Sequence, residues 1–403
     1  MIKKQTSLLS TSILGLALFS ANTFAADCSS TPVNPNGNAS KLQDALQQAT
    51  NTGLPIRITG TYYISNDIKV YLKKDLVVDA TGAKFIATTN LDGDLFSIDA
   101  HATKSNECGS SNTLADFNWK GGDFNIANAK VSTVVPYPYK TPEGKTGTQS
   151  TADALSVRGG INSHNTNKLG EAVIENITVT GTKNNTDTCF EAGGDSGILL
   201  TGGTKVTVKN NSFYGIRDAA VYLTASGDNG QYGDHFTFSN NYVERACYAL
   251  TSKRGADNLK FLNNTINNVL GGIGVPNTFT GRTATNVVVR GNKISKTIRG
   301  ISMYRVNNAT IENNEITELG AITNGLTKAI GAYGNVYEGI LLAGTQGTNT
   351  LSNNTIKGVT GSREGATETY GVTYREHDGR STTGVSISNH SYSKLNKWVK
   401  DFQ

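Results

Sequence analysis

The sequence predicts an all-β fold, a single-stranded parallel β-solenoid, from three observations. First, strand-like runs break again and again on a pair of turn residues: "VTVKNNSF" (Val206 to Phe213), "FTFSNNYV", "LKFLNNTI", "VVVRGNKI", "ATIENNEI" and "NTLSNNTI", with "AVIENITV" as a degenerate first copy. The second polar residue of each marks Asn176, Asn211, Asn241, Asn264, Asn292, Asn314 and Asn354, and the shortest step is about 22 residues, a solenoid period. Second, each marker is followed by another strand-like segment: "GILLT" from Gly197, "AVYLT" from Ala220, "CYALT" from Cys247, "GIGVP" from Gly272, "GISMY" from Gly300, "GILLA" from Gly339 and "GVTYR" from Gly371. Third, the asparagines have a physical reason to be there. Strands normally exclude Asn, but a tight corner favours a residue that tolerates left-handed backbone. Its amide can also bond the Asn one coil above, so stacked markers form a ladder. A leucine-rich repeat would need Leu-rich helical halves, and a β-sandwich would lack this register.

Residues 1–25 read as a secretory signal: Lys3 and Lys4, an apolar run from about Leu8 to Phe19, then Thr23 and Ala25 before a cleavage site. The apolar run is shorter than the roughly 20 residues needed to span a bilayer, and Asp27 before Cys28 argues against a lipidated anchor. A soluble protein, secreted or periplasmic and monomeric, is expected. Residues 26–403 form one expected domain, since no Pro-rich or Ser-rich linker divides them, with an inserted loop at about 126–150. Cys28, Cys108, Cys189 and Cys247 fit one or two disulfides in an oxidising compartment, with the pairing open. The net charge of +5 suits a polyanionic ligand. Gly-rich phosphate loops, a Ser-His-Asp order, metal-type cysteine spacing and nucleic-acid motifs are all missing from the sequence.

The segment "SKLQDALQQATNTGLPIRITGTYYISNDIKVYLKKDLVVDATGAKF" starts with Ser40 as helix cap and Leu42, Ala45, Leu46 and Ala49 on one helical face. Alternating strands follow through Ile56, Ile58, Tyr63, Ile68, Val70, Leu76 and Val78. Together with "FNWKGGDF" and "ADALSVRGG", this segment resembles the start of the right-handed parallel β-helix proteins of the pectate-lyase superfold. The resemblance implies a right-handed helix with a short N-terminal capping helix. It also implies a carbohydrate-active chain, and leaves lyase, glycoside hydrolase, uronate epimerase and non-catalytic surface protein open, because one scaffold hosts all of them.

Parity then predicts where chemistry sits. Ile198 with Leu200, Val221 with Leu223 and Ile301 with Met303 point inward, so intervening residues stack into outward columns about 4.8 Å apart. One expected column reads Asp195, Asp218, Arg245; the next is a floor of small residues, Gly197, Ala220, Cys247, Gly272 and Gly300. The others hold Tyr222 with Ser302, and Arg158, Thr201, Thr224, Thr251, Tyr304 and Arg375. Such a groove would seat an extended polymer. Asp195 and Asp218 could hold Ca²⁺, act as a hydrolytic carboxyl pair, or leave Asp218 simply neutralised by Arg245. Elimination from a uronic-acid polymer needs a neutralised carboxylate, a base at C5 and a proton for the leaving oxygen. Lys253, Arg245 and Tyr304 supply these as expected catalytic residues. Tyr222, Arg254, Arg299, Arg305 and Arg375, with Tyr137 and Tyr139 from the inserted loop, are the expected substrate contacts. His377 in "YREHDGR" is a further candidate base, in a stretch similar to the "DPHD" element of β-helix mannuronan epimerases but without its Asp-Pro. The expected activity is an exported polysaccharide lyase acting on an acidic polymer. The alternatives are a hydrolase using Asp195 and Asp218, and an epimerase or non-catalytic binder.

Overall fold

The computed structural model describes residues 30–91, 93–100, 114–129, 135–140, 146–149, 152–159, 169–181, 196–225, 233–276, 282–322, 336–359 and 368–403. The leader, Cys28, Cys108, Cys189 and Asp195 lie outside them. Cys247 is disulfide-bonded.

The described chain is a parallel β-helix with three faces per coil. An eleven-stranded parallel sheet, from Ile56–Arg57 to Val385–Ser388, makes the flat face. The other two faces are joined because long strands, Ser212–Thr224, Tyr242–Lys253, Thr265–Pro276 and Lys293–Tyr304, bend round a corner and pair with the next coil on both sides of it. We call the first halves the ladder face and the second halves the groove face. Residues 135–140 and 146–149 stand apart as a two-stranded antiparallel pair, so the inserted segment that carries Tyr137 and Tyr139 is not part of a coil.

The asparagines hold the corner between the flat face and the ladder face. Asn211, Asn241, Asn264, Asn292, Asn314 and Asn354 are buried, and each of the first five donates through Nδ2 to Oδ1 of the next at 2.9 to 3.0 Å. The same Oδ1 accepts the backbone N–H of the preceding Asn. The second Nδ2 hydrogen goes to a carbonyl at the end of the coil before, such as Val208 and Phe238. The residue ahead of each, Asn210, Asn240, Asn263, Gly291, Asn313 or Asn353, takes left-handed φ. One marker is displaced: Asn176 has φ 59 and occupies this outer position. Ile177 stands in the ladder row, and its N–H donates to Asn211. A second, partly exposed ladder links Asp234, Asn258 and the exposed Asn286 at the corner where the groove face returns to the flat face.

The first turn of the fold is capped by helix Ala39–Thr52, which buries Leu42, Leu46 and Ala49. Its cap is Asn38, whose side chain accepts from Ser40 N–H, so Ser40 is the first turn's donor and not the cap. Behind it, Tyr62, Phe85, Phe96, Trp119 and Phe124 fill the coil, with ring centroids 5.0 to 6.0 Å apart. Tyr62 is the inward tyrosine there and Tyr63 is exposed, one residue off the expected parity.

The expected outward floor of small residues faces inward. A Cβ on Gly300 would lie 2.6 Å from the Gly339 carbonyl and 2.8 Å from Ile316 Cδ1, and one on Gly272 would meet the Gly300 carbonyl and Ile294. Here the ladder and groove faces converge too closely for any side chain at Gly272 and Gly300. Register puts Ala249 in this row and not Cys247, because Val221 pairs with Leu250.

One acidic cluster belongs to the first coils. Asp94 is buried, and Ser97 Oγ lies 3.0 Å from Asp94 Oδ2 and 3.1 Å from Asp67 Oδ2. Asp153 N–H donates to Asp94 Oδ1, while Arg158 stands 3.6 Å away. Burial, and then the neighbouring Asp67 charge, push Asp94 up to about 6. The folded state therefore binds this proton more tightly than the unfolded chain, whose carboxyl titrates near 3.9. The stabilisation is complete below about pH 4 and is lost as pH rises to about 6.

Two outcomes are expected. Asn264→Ala strands the N–H and amide of Asn241 and should lower unfolding free energy by about 1–3 kcal/mol, while the exposed Asn286→Ala should cost under about 0.5 kcal/mol; denaturant titration of both variants checks this. Asp94→Asn should raise Tm at pH 7.5, with the gain vanishing near pH 4, in a calorimetric series across that range.

Candidate functional site

Register on the groove face defines its outward columns. Leu199, Tyr222, Thr251, Gly274, Ser302 and Leu341 are successive partners in one. Thr201, Thr224 and Lys253 begin the next, which continues through Pro276, Tyr304, Ala343 and Arg375. Thr251 thus belongs beside Tyr222, and Lys253 takes the place expected for Thr251. The small floor that sequence parity assigned to the glycine row is supplied instead by Thr251, Gly274 and Ser302; a Cβ on Gly274 would meet nothing closer than 3.5 Å.

Arg245 is not in this groove's columns. It lies between the pairs Tyr214 with Glu244 and Ile216 with Ala246, at the corner with φ 57, in the row of Gly215, Asn268, Lys296 and Glu318. A one-residue irregularity between Ile216 and Ala219 also removes it from the column of Asp218. Arg254 and Arg305 hold the opposite corner with φ 63 and 52. A left-handed backbone costs an ordinary L-residue roughly 1–2 kcal/mol, and it turns these side chains away from a strand's perpendicular direction. They therefore belong to the rim.

Two clusters remain in the groove. In the first, Lys253 Nζ lies 4.7 Å from the Tyr222 ring centroid and acts on Asp218. Burial pushes the Asp218 carboxyl up, with Lys253 pulling it back. Burial would depress Lys253, but Tyr222 and Asp218 outweigh it and its pKa stands raised. An ammonium held protonated in this way suits the binding of an anion and does not suit proton removal. Asp218, with a cation beside it, is a poor Ca²⁺ ligand; Asp195 lies outside the described residues. Among the described residues no group of three or more acidic, His or Cys side chains could hold a metal.

The second cluster centres on Glu338, three coils further on and about 14 Å along the axis, which sequence reading missed. Its carboxylate has 0% exposure. Arg299 Nε donates to Oε2 at 2.9 Å, and Nη2 makes an ion pair with the same oxygen at 2.8 Å. Arg375 Nε and Nη2 donate to Oε1 at 3.1 and 2.6 Å, with Thr373 Oγ1 at 2.8 Å. Arg299 Nη1 reaches on to Tyr304 Oη at 3.0 Å. The phenol accepts that bond, and among the described residues nothing accepts its own proton. The His377 ring lies edge-on to Tyr304 with centroids 5.1 Å apart. His377 Nε2 is 3.4 Å from Asp378 Oδ2 without a hydrogen bond, and Asp378 also pairs with Arg305 at 3.2 Å. Within the cluster, Arg299 and Arg375 against the single carboxylate of Glu338 leave one positive charge, while Arg305 at the rim is paired with Asp378. A parity argument would have found Glu338 only from its register with Arg299, which a long insertion before Val336 hides.

The flat face has a different character. Arg57, Asp79, Lys120, Glu175 and Lys209 are successive register partners, so the signs alternate and each carboxylate stands between two cations. Lys209 pairs with Glu175 at 2.9 Å. The shallow hollow there is lined also by Val77, Asn118 and Trp119.

The family profile described as right handed beta helix region matches residues 158–356. No curated protein matches the sequence. Among solved structures, the surface protein and adhesin PfbA of Streptococcus pneumoniae is 14% identical over 93% of this chain and 98% of its own, with a TM-score of 0.47. The A-module of a mannuronan C-5 epimerase from Azotobacter vinelandii is 14% identical over 89% and 93%, with a TM-score of 0.43. A Yersinia enterocolitica family 28 exopolygalacturonase is 13% identical over 93% and 77%, with a TM-score of 0.39. Among the described residues no helix is long and apolar enough to cross a membrane. By its coil register, its capped first turn and the match over residues 158–356, this chain is a right-handed parallel β-helix protein.

Proposed function

We propose that the protein is an exported lyase that binds an acidic polysaccharide along the groove face and cleaves it by β-elimination. The observation that carries this reading is the Tyr304 hydroxyl, which accepts from Arg299 and keeps its proton for a partner outside the described residues, in a cluster with one surplus positive charge. A uronate chain lying along the floor of Gly274 and Ser302 would have one carboxylate beside Lys253 and another beside Arg375, four coils or about 19 Å along the axis. His377 would take the C5 proton as the C4–O bond breaks. The C4=C5 double bond forms, and Tyr304 passes its proton to the leaving oxygen. The His377 side chain is 22% exposed, and its ring contact with Tyr304 keeps base and acid on one side of the substrate.

Export rests on the leader-like residues 1–25. Tyr137 and Tyr139, on the antiparallel pair outside the coils, remain proposed polymer contacts. The hydrolase alternative is less well supported, because Asp218 is matched with Lys253 and does not stand as an open carboxyl. The same Lys253 beside Asp218 disfavours Ca²⁺ there.

The test is incubation of the purified protein with a panel of uronic-acid polymers. New ultraviolet absorbance from unsaturated ends supports elimination; reducing ends without it indicate hydrolysis, and neither product indicates a binder. On a cleaved polymer, Tyr304→Phe should cut turnover by about 100-fold or more with Tm unchanged within about 1 °C, because the phenol makes no buried bond that the fold needs. Undiminished turnover in Tyr304→Phe would remove this proton donor from the account.

A further inference from the structure

We propose that Glu338 is the positioning residue of this site: its buried carboxylate fixes the Arg299 guanidinium in the one orientation that delivers Nη1 to the Tyr304 hydroxyl. The inference rests on the reading of Tyr304 as the proton donor and adds a residue that makes no contact with the substrate.

The geometry singles out Glu338 among the acidic residues of the described chain. It is the direct register partner of Arg299 on the neighbouring strand, and both Arg299 nitrogens on its side, Nε and Nη2, converge on a single oxygen, Oε2. That leaves Nη1 as the end of the fork, and it is 3.0 Å from Tyr304 Oη. The other oxygen, Oε1, is held by Arg375 and by the buried Thr373 hydroxyl, so the carboxylate cannot rotate without breaking bonds at both ends. A planar guanidinium gripped along one edge has no freedom left at the other. Tyr304 and Arg375 share a column, with the small Ala343 between them. A larger residue at 343 would separate the two arms of the assembly. An isolated ionised carboxylate at zero exposure would be strongly unfavourable, and a stability role alone would be met by one arginine. The second places Oε1 so that Oε2 faces Arg299.

The test uses Glu338→Gln, which keeps the shape and replaces one acceptor oxygen by an NH₂ that opposes a guanidinium. A crystal structure of the variant should show the Arg299 to Tyr304 contact broken. On the polymer that the wild type cleaves fastest, kcat should fall by about 100-fold while KM stays within about threefold. In an Arg299→Gln background the same substitution should cost no more than a few-fold further turnover, the share that acts through Arg375, since its action through Arg299 has nothing left to position. Glu338→Asp, which keeps the charge but withdraws it by one methylene, is the second variant if Glu338→Gln does not fold; it should also break the contact. Arg299 remaining on Tyr304 in the variant structure, or turnover losses that multiply in the double variant, would overturn the inference. The crystallographic comparison does not depend on activity. Displacement of Arg299 in the variant, together with a wild type that cleaves no uronate polymer, would refute the lyase reading and leave the positioning role standing.

Discussion

The fold depends on one repeated interaction, an asparagine side chain that answers for the backbone of a sharp corner. A coil that turns in two residues leaves an N–H pointing into the interior, where an unpaired donor costs about 1–3 kcal/mol. Each ladder Asn accepts that N–H and the amide of the Asn before it, and donates to a carbonyl of the coil behind. The bonds are between coils, so the ladder fixes the register of one coil on the next as well as closing the turn. It runs from Ile177 N–H to Asn354, the stretch that also carries both clusters of the groove.

Register, once fixed, turns sequence distance into column position. Tyr304, Ala343 and Arg375 are up to 71 residues apart and still share a column; Arg299 and Glu338 are 39 apart and touch. On the flat face the same stacking alternates positive and negative side chains, so each charge has an opposite neighbour on the next coil. On the groove face it gathers like charges, two arginines on one glutamate, and leaves an excess that the fold itself does not neutralise. The close convergence behind that face, where Gly272, Gly300 and Gly339 are forced to be small, keeps the strands tightly stacked beneath the groove.

The scaffold was legible because its signals are local and repeated. The Asn pairs, the apolar alternation and the helix of Leu42 and Leu46 each follow from backbone geometry within a few residues. Which residue types line the groove face was legible, and their positions less so. Tyr222, Lys253, Arg299, Tyr304 and Arg375 do stand on the groove face, but the glycine row was assigned to the wrong side, because parity counting assumes an unbroken strand and these strands bend at the corner. The same bend, with the irregularity after Ile216, misplaced Arg245. Arg254 and Arg305 could not be recognised as corner residues, since left-handed φ is a signal read from Asn and Gly and rarely from Arg. Glu338 was invisible because its partners come from coils before and after it, across insertions whose lengths differ.

The central claim is that the groove face, and no other face, receives the carboxylates of an acidic polymer between Lys253 and Arg375. The most direct measurement is a crystal structure of the Tyr304→Phe protein soaked with a saturated oligouronate from the polymer it binds best. The account predicts a sugar chain lying along the column of Gly274 and Ser302, with one carboxylate within hydrogen-bond reach of Lys253 or Arg375. An oligouronate found on the flat face beside Lys120 and Lys209, or running across the groove without touching either cation, would contradict it.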